Sequence, residues 1–140
     1  MAGTIRLEVV TPEKIVVSEE AQIVMAPGVL GEFGVLIGHT PFLTALKNGA
    51  VRFNDAKGDE HSLFVSGGFA EVLPDQVTIL AESAERRRDI DVERARKALE
   101  RAQKRLAEAR SKEEVDFTRA QAALQRAILR LRIAENRPQH

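Results

Sequence analysis

LAESAERRRDIDVERA, residues 80–95, joins two stretches of opposite character, and reading it decides the fold. Before it, short apolar runs are broken by Gly and Pro. From Arg86 onward there is no Gly, and the only Pro is Pro138. The charge reverses at the same place. Residues 1–85 hold five Lys/Arg (Arg6, Lys14, Lys47, Arg52, Lys57) against twelve Asp/Glu, a net of −7, whereas residues 86–140 hold sixteen against nine, a net of +7. A formally neutral chain is therefore an acidic module carrying a basic tail. A tail of that charge seeks an acidic partner: nucleic acid, a phosphate ligand or an acidic protein surface.

Upstream of the junction, Ile5, Leu7 and Val9 alternate with Arg6 and Glu8, the period of a half-buried strand. Similar runs follow at 14–18, 21–26, 33–36, 43–47, 50–54, 61–65, 69–73 and 76–80. Turn signals separate them: Thr11-Pro12, Pro27-Gly28, Gly38 through Pro41, Asn48-Gly49, Lys57-Gly58-Asp59, Gly67-Gly68 and Pro74-Asp75. About nine strands at this spacing predict an antiparallel sandwich or flattened barrel. Gly31-x-x-Gly34 lacks a third glycine and a following Lys-Ser/Thr, so it reads as a turn rather than a phosphate loop.

Downstream, Ala95, Leu99, Ala102, Leu106 and Ala109 form one helical stripe, and Phe117, Ala120, Leu124, Ala127, Leu131 and Ala134 form another. Asp91 is placed to cap the first helix. Ser111-x-x-Glu114 reads as a capping box for the second, which puts the break near 109–111. A break that short predicts an antiparallel hairpin. Its stripes are mostly Ala, so it packs closely but weakly, since burying a methyl gains far less than the roughly 1.5–3 kcal/mol of a buried Leu. Arg94 and Arg101 share one helix face, as do Arg126 and Arg130. Interleaved with Glu93, Glu100 and Glu108, they can be a plain solvated surface. Alternatively, four guanidinium groups converge on a polyphosphate through charge-assisted, bidentate hydrogen bonds.

Other chemistry is thinly represented. No run of about 18 apolar residues suggests a membrane span. MAGTIRLEVV lacks an apolar signal core, so secretion is not expected. Cysteine is absent, which removes disulfides and thiol chemistry and fits a reducing compartment. His39, His61 and His140 stand in no pair of metal-ligand spacing, so no metal site is expected. With neither Trp nor Tyr, base stacking has little to use. No acid, base and nucleophile set appears, so the reading is non-enzymatic, with no catalytic residue. His61, in a strand after Asp59-Glu60, reads as structural.

Several motifs in register resemble the epsilon-subunit family of bacterial F-type ATP synthases. Gly31-Glu32-Phe33-Gly34-Val35-Leu36-Ile37-Gly38-His39-Thr40-Pro41 is similar to its G-E-x-G-x-L-P-G-H-x-P loop, with Ile37 where Pro is common. Val65-Ser66-Gly67-Gly68-Phe69-Ala70-Glu71-Val72 resembles its S-G-G-x-x-E-V strand, and Val77-Thr78-Ile79-Leu80-Ala81 continues the pattern. Asp89-Ile90-Asp91-Val92-Glu93-Arg94-Ala95 is similar to its I/L-D-x-x-R-A motif, after a linker, Arg86-Arg87-Arg88, that is more basic than many relatives carry. The resemblance covers about residues 4–135.

It implies a β + α architecture: an N-terminal antiparallel β-sandwich of about ten strands (1–85), a linker (86–90) and a C-terminal antiparallel two-helix hairpin (91–140). It implies a non-catalytic central-stalk subunit bound to the gamma subunit and the c-subunit ring, peripheral on the cytoplasmic face of the bacterial inner membrane. Its helices either fold down on the sandwich or extend along gamma toward an acidic segment of the beta subunits, where they inhibit ATP hydrolysis. ATP as a regulatory ligand would hold the folded form through Glu85, Ile90, Asp91, Arg94, Ala95, Arg101, Arg126 and Arg130, with Ile90 and Asp91 at the adenine and the arginines at the phosphates. Glu32 and His39 would face the c ring; on pattern alone they belong to an exposed polar loop, and Ala95 to stripe packing. Two alternatives stand beside this reading: a free-standing nucleotide-sensing module, and an RNA-binding basic hairpin whose affinity falls steeply with salt.

Overall fold

A computed structural model describes residues 3–108 and 114–135. They fall into two compact units, the first ending at Arg87 and the second beginning at Arg88.

The first unit is a nine-stranded β-sandwich: β1 (Ile5–Val10), β2 (Ile15–Gly28), β3 (Gly31–Val35), β4 (Phe42–Ala45), β5 (Gly49–Asp55), β6 (Glu60–Ser66), β7 (Phe69–Val72), β8 (Gln76–Leu80) and β9 (Ser83–Arg86). Their order is β4-β7-β8-β1-β2-β5-β6-β9, with β3 also on β2. The first part of β2 pairs with β1, from Ile15 opposite Val10 to Ala21 opposite Ile5. Its second part pairs with β3 and β5. The register shifts between Ala21 and Ile23, a bulge at which β2 passes from one layer to the other. The inward residues of both layers then meet in one core that includes Leu7, Val24, Phe53, Leu63, Val65 and Ile79, each 0–1% exposed.

The strands depart from the sequence expectation in three ways. Runs 14–18 and 21–26 are one continuous strand, because the residues between them stay paired with β1. Strand β9 was not expected, since Ser-Ala-Glu-Arg carries no alternation, and it is half-buried throughout. Pairing with β6 holds it, and Arg86 secures it to β2, donating from Nη2 to Glu19 Oε2 (2.6 Å) and from Nε to Val16 O (3.3 Å). The compositional break between Glu85 and Arg86 therefore falls inside a strand. Finally, β1 and β8 are parallel, while the other paired strands are antiparallel.

The Ser66-Gly67-Gly68-Phe69 turn shows why its glycines are needed. Gly67 and Gly68 have φ of 62° and 107°. A Cβ on Gly68 would stand 1.9 Å from Leu80 O. Close approach there lets Gly68 O accept from Leu46 N at 2.8 Å.

A 3₁₀ turn (Arg87–Asp89) spans the boundary, and the second unit continues with α1 (Val92–Glu108) and α2 (Glu114–Glu135), packed as a hairpin. As the sequence suggests, Asp91 caps α1: its Oδ1 accepts from Arg94 N at 3.0 Å. Ser111 of the expected capping box lies outside the described residues. Ala95 and Ala102 of α1 and Ala120 and Ala127 of α2 are buried, 1–4% exposed. Leu99, Leu106, Leu124 and Leu131 are half-buried at the margins of this seam. Two assignments move: Phe117, placed on the stripe, is 43% exposed, and Ile133, off the stripe, is 5% exposed.

Candidate functional site

The hairpin holds most of the residues that the motifs single out. Glu108 and Glu114 are the helix ends facing the five-residue connection, so Ala102 stands level with Ala120 and Ala95 with Ala127. Burial agrees, because these four alanines are the buried positions of the seam on both sides. Each is preceded by an arginine: Arg94, Arg101, Arg119 and Arg126. One residue back is about 100° around a helix. Viewed down a common axis, the antiparallel partner reverses both its sense of winding and the direction to its neighbour. The two reversals cancel, so all four arginines fall on the same flank of the hairpin. The residue three beyond an alanine, one turn from the arginine, falls there too, which adds Arg105 and Arg130.

Along this flank the sequence-predicted residues separate. Arg130 is level with Asp91, and Arg94 and Arg126 lie within about two residues of each other in level. Asp91, Arg94, Arg126 and Arg130 thus gather at the open end of the hairpin. Arg101 is two turns away from Arg94, about 10 Å along the axis. Arg94 and Arg101 are exposed, Arg126 and Arg130 half-buried. Ala95 is buried in the seam, and Ile90 is 7% exposed. Glu85 belongs to the other unit, in β9, paired with Phe64. Among the described residues, Arg94, Arg101, Arg105, Arg119 and Arg126 form no ion pair; Arg96, on the opposite flank, pairs with Glu93 at 3.4 Å. Asp91 is a carboxylate at the open end of this flank, and its Oδ1 already accepts the cap bond. The flank offers a phosphate-bearing anion guanidinium donors, five of its six arginines forming no ion pair among the described residues.

The sandwich offers a different kind of surface. Glu32 and His39 flank the end of β3 and its loop. Glu32 Oε1 accepts from Arg52 Nη2 at 2.9 Å, and His39 Nδ1 donates to Thr40 O at 2.7 Å, its ring 5.4 Å from that of Phe42. The structure does not bring these two residues into one cluster of contacts. Leu30, Leu36 and Ile37 beside them are 99%, 54% and 43% exposed. Sequence reading missed an apolar row across the outer face. Ala45 pairs with Phe69, Phe69 with Leu80, Leu80 with Val10 and Val10 with Ile15. Phe69, Leu80 and Ile15 are 55–63% exposed. No single strand reveals this row, because it runs across strands and depends on their register. Among the described residues there is no group of three potential metal-ligating side chains, and no helix is long and apolar enough to cross a membrane.

Comparison with known proteins agrees with both units. Residues 4–87 match the family model described as ATP synthase, Delta/Epsilon chain, beta-sandwich domain, and residues 88–135 match the one described as its long alpha-helix domain. An ATP synthase epsilon chain of Desulfosudis oleivorans is 69% identical over 106 residues, 76% of this chain and 80% of that one. One from Nitratidesulfovibrio vulgaris is 57% identical over 112 residues, 80% of this chain and 83% of that one. Among solved structures, a chain of the Euglena gracilis mitochondrial ATP synthase (OSCP/F1/c-ring) aligns with a TM-score of 0.78 at 26% identity, over 91% of this chain and 79% of that one. A chain from the central stalk and c ring of the Tetrahymena thermophila enzyme, 12% identical with a TM-score of 0.59 over 93% and 96%, shares the fold.

Proposed function

This chain belongs to the ATP synthase delta/epsilon family, and from that premise we propose that it is the epsilon subunit of an F-type ATP synthase central stalk. The observation that carries this reading is the match of both family domains, in order and end to end, at 4–87 and 88–135. The subunit is non-catalytic. Its sandwich is the docking platform, and the exposed surfaces support a division of labour. The Glu32/His39 loop with its apolar neighbours faces the c ring, and the Phe69–Leu80–Ile15 row seats the gamma subunit. The assembly holds the chain peripherally, on the cytoplasmic face of the inner membrane.

The hairpin is the regulatory element. Folded, it binds ATP, with Asp91 and Ile90 toward the adenine and Arg94, Arg126 and Arg130 on the phosphates, Arg101 reaching the far end. Extended, its arginines meet the acidic segment of beta and brake hydrolysis. A seam of alanines suits two states a few kcal/mol apart. A ligand selective for the folded state adds RT ln(1 + [L]/Kd), about 2.7 kcal/mol at one hundred times Kd, enough to bias such a balance.

Removing residues 90–140 tests the proposal in the assembled complex. ATP hydrolysis at low ATP and without an ion gradient should rise while gamma and the c ring still co-purify. Unchanged hydrolysis would show that the hairpin is not a brake, and loss of gamma and c would show that the sandwich is not the platform.

A further inference from the structure

The arginine flank is longer than a nucleotide needs, and it is built in two parts. On α1 the row one residue before and three after each seam alanine reads Arg94, Ala98, Arg101, Arg105. On α2 the equivalent row reads Arg119, Ala123, Arg126, Arg130. Large and small residues occur in the same order, Arg-Ala-Arg-Arg, on both helices. Because the helices are antiparallel, the rows interleave into two triplets. Arg130, Arg94 and Arg126 stand at the open end. Arg101, Arg119 and Arg105 stand toward the connection. Ala98 and Ala123 lie level with each other between them, both half-buried. The triplet centres are about 13 Å apart along the axis, from the helical rise of 1.5 Å per residue.

Only the open-end triplet adjoins Asp91 and Ile90. The second has Asp116, four residues before Ala120 as Asp91 is before Ala95, and Glu108 on its flank, but among the described residues none of its three arginines forms an ion pair. Its three arginines are exposed. Along the whole flank six arginines face three carboxylates (Asp91, Asp116 and Glu108), and an anion that bridges the arginines meets the remaining positive charge. The alanine pair leaves a floor without long side chains over which a thin, unbranched anion can pass from one triplet to the other.

We propose that the hairpin binds linear inorganic polyphosphate, with the open-end triplet and the Arg101–Arg105–Arg119 triplet each holding one section of a single chain. A triphosphate is too short to engage both triplets fully; a chain of six or more phosphates spans them. The anion class follows from the geometry: negative charge on every unit, tetrahedral oxygens that both helix walls can reach, and no bulk over the alanines. An acidic peptide carries fewer charges per unit length and adds bulk. A nucleic acid would want stacking partners, and Phe117 lies on the opposite flank. This inference shares the open-end triplet with the proposed nucleotide site but does not require adenine recognition.

Competition binding on the full chain in metal-free buffer tests it, with ATP, inorganic triphosphate, linear hexaphosphate and an oligoglutamate of matched charge as probes. Hexaphosphate should bind at least about tenfold more tightly than triphosphate, the scale of one added charge-assisted contact. The double variant Arg105→Gln/Arg119→Gln, both positions exposed, should remove that advantage and leave ATP and triphosphate binding unchanged, with unaltered circular dichroism. Equal affinity for hexaphosphate and triphosphate overturns the proposal. So does equal binding of the oligoglutamate, which would mark a generic acidic-protein surface, or a parallel loss of ATP binding in the double variant, which would mark diffuse attraction. If hexaphosphate binds as described and ATP competes no better than triphosphate, the nucleotide reading fails and this one stands.

Discussion

The two units are held together by different residues, and the difference matches the roles proposed for them, platform and switch. In the sandwich, Phe53, Leu63, Val65 and Ile79 are essentially inaccessible to water, and each fully buried side chain of that size contributes about 1.5–3 kcal/mol. In the hairpin, Ala95, Ala102, Ala120 and Ala127 are buried along the seam, where a methyl contributes about 0.8 kcal/mol, and Ile133 is the one larger buried side chain of the two helices among the described residues. The leucines beside them are only half-buried. One unit therefore resists opening, whereas the other can be shifted by a ligand or partner worth a few kcal/mol. Close packing of small residues also brings two arginine rows onto one flank, so the feature that weakens the hairpin creates the flank proposed to bind anions.

Substitutions that invert this contrast should show it, beginning with the largest effect. Phe53→Ala should cost the sandwich about 3–5 kcal/mol in urea unfolding, because it leaves a cavity and removes the ring stacked 4.9 Å from His61. Hydrogen exchange in the helices should be unaffected; a matching loss there would mean that the units do not unfold separately. Ala127→Leu should destabilise the hairpin by about 1–3 kcal/mol through overpacking, read as faster exchange over 92–135 with the sandwich unchanged. A more stable hairpin would mean that the seam has spare room. Asp91→Ala should cost α1 about 1 kcal/mol through loss of its cap, seen as fraying of the first turn.

The smallest effect is one of pH, and it belongs to the sandwich. The bond from His61 to Asp55 (2.8 Å), together with backbone N–H groups of Asp59 and Lys57, holds the Asp55 carboxyl below the usual carboxylate range. The folded state thus binds this proton less readily than the unfolded chain. Its contribution is full above the unfolded value, about pH 4, and is lost as pH falls through the lower folded value. Asp55→Asn should flatten this part of the acid-unfolding profile, and an unchanged profile would show that the pair is incidental.

Much of this architecture is legible in the sequence where the chain obeys a simple period. Alternation located Ile5, Leu7 and Val9, and the four-three spacing located both helices and the Asp91 cap. The misses have a common cause. Strand β9 is held by β6 and by the Arg86–Glu19 pair, long-range partners that no local pattern announces. The apolar row from Phe69 to Ile15 exists only through inter-strand register. At the candidate site, Arg94, Arg126 and Arg130 were visible from motif and spacing. Arg105 and Arg119 were not grouped with them, because that requires knowing which alanines meet across the seam. The repeated Arg-x₃-Ala-x₂-Arg-x₃-Arg in both helices was the signal that would have grouped them.

Hydrogen exchange of the full chain with and without ATP tests the platform-and-switch account most directly. ATP should slow exchange across both α1 and α2 while amides of the sandwich core, such as those of Val24, Leu63 and Ile79, stay the same. Arg126→Ala should weaken ATP binding roughly ten- to a hundredfold, the cost of a charge-assisted contact, and abolish the protection at moderate ATP, whereas Arg119→Ala should leave ATP protection intact. Protection spread over the sandwich, or lost equally in the two variants, would contradict a built site on a separately adjustable hairpin.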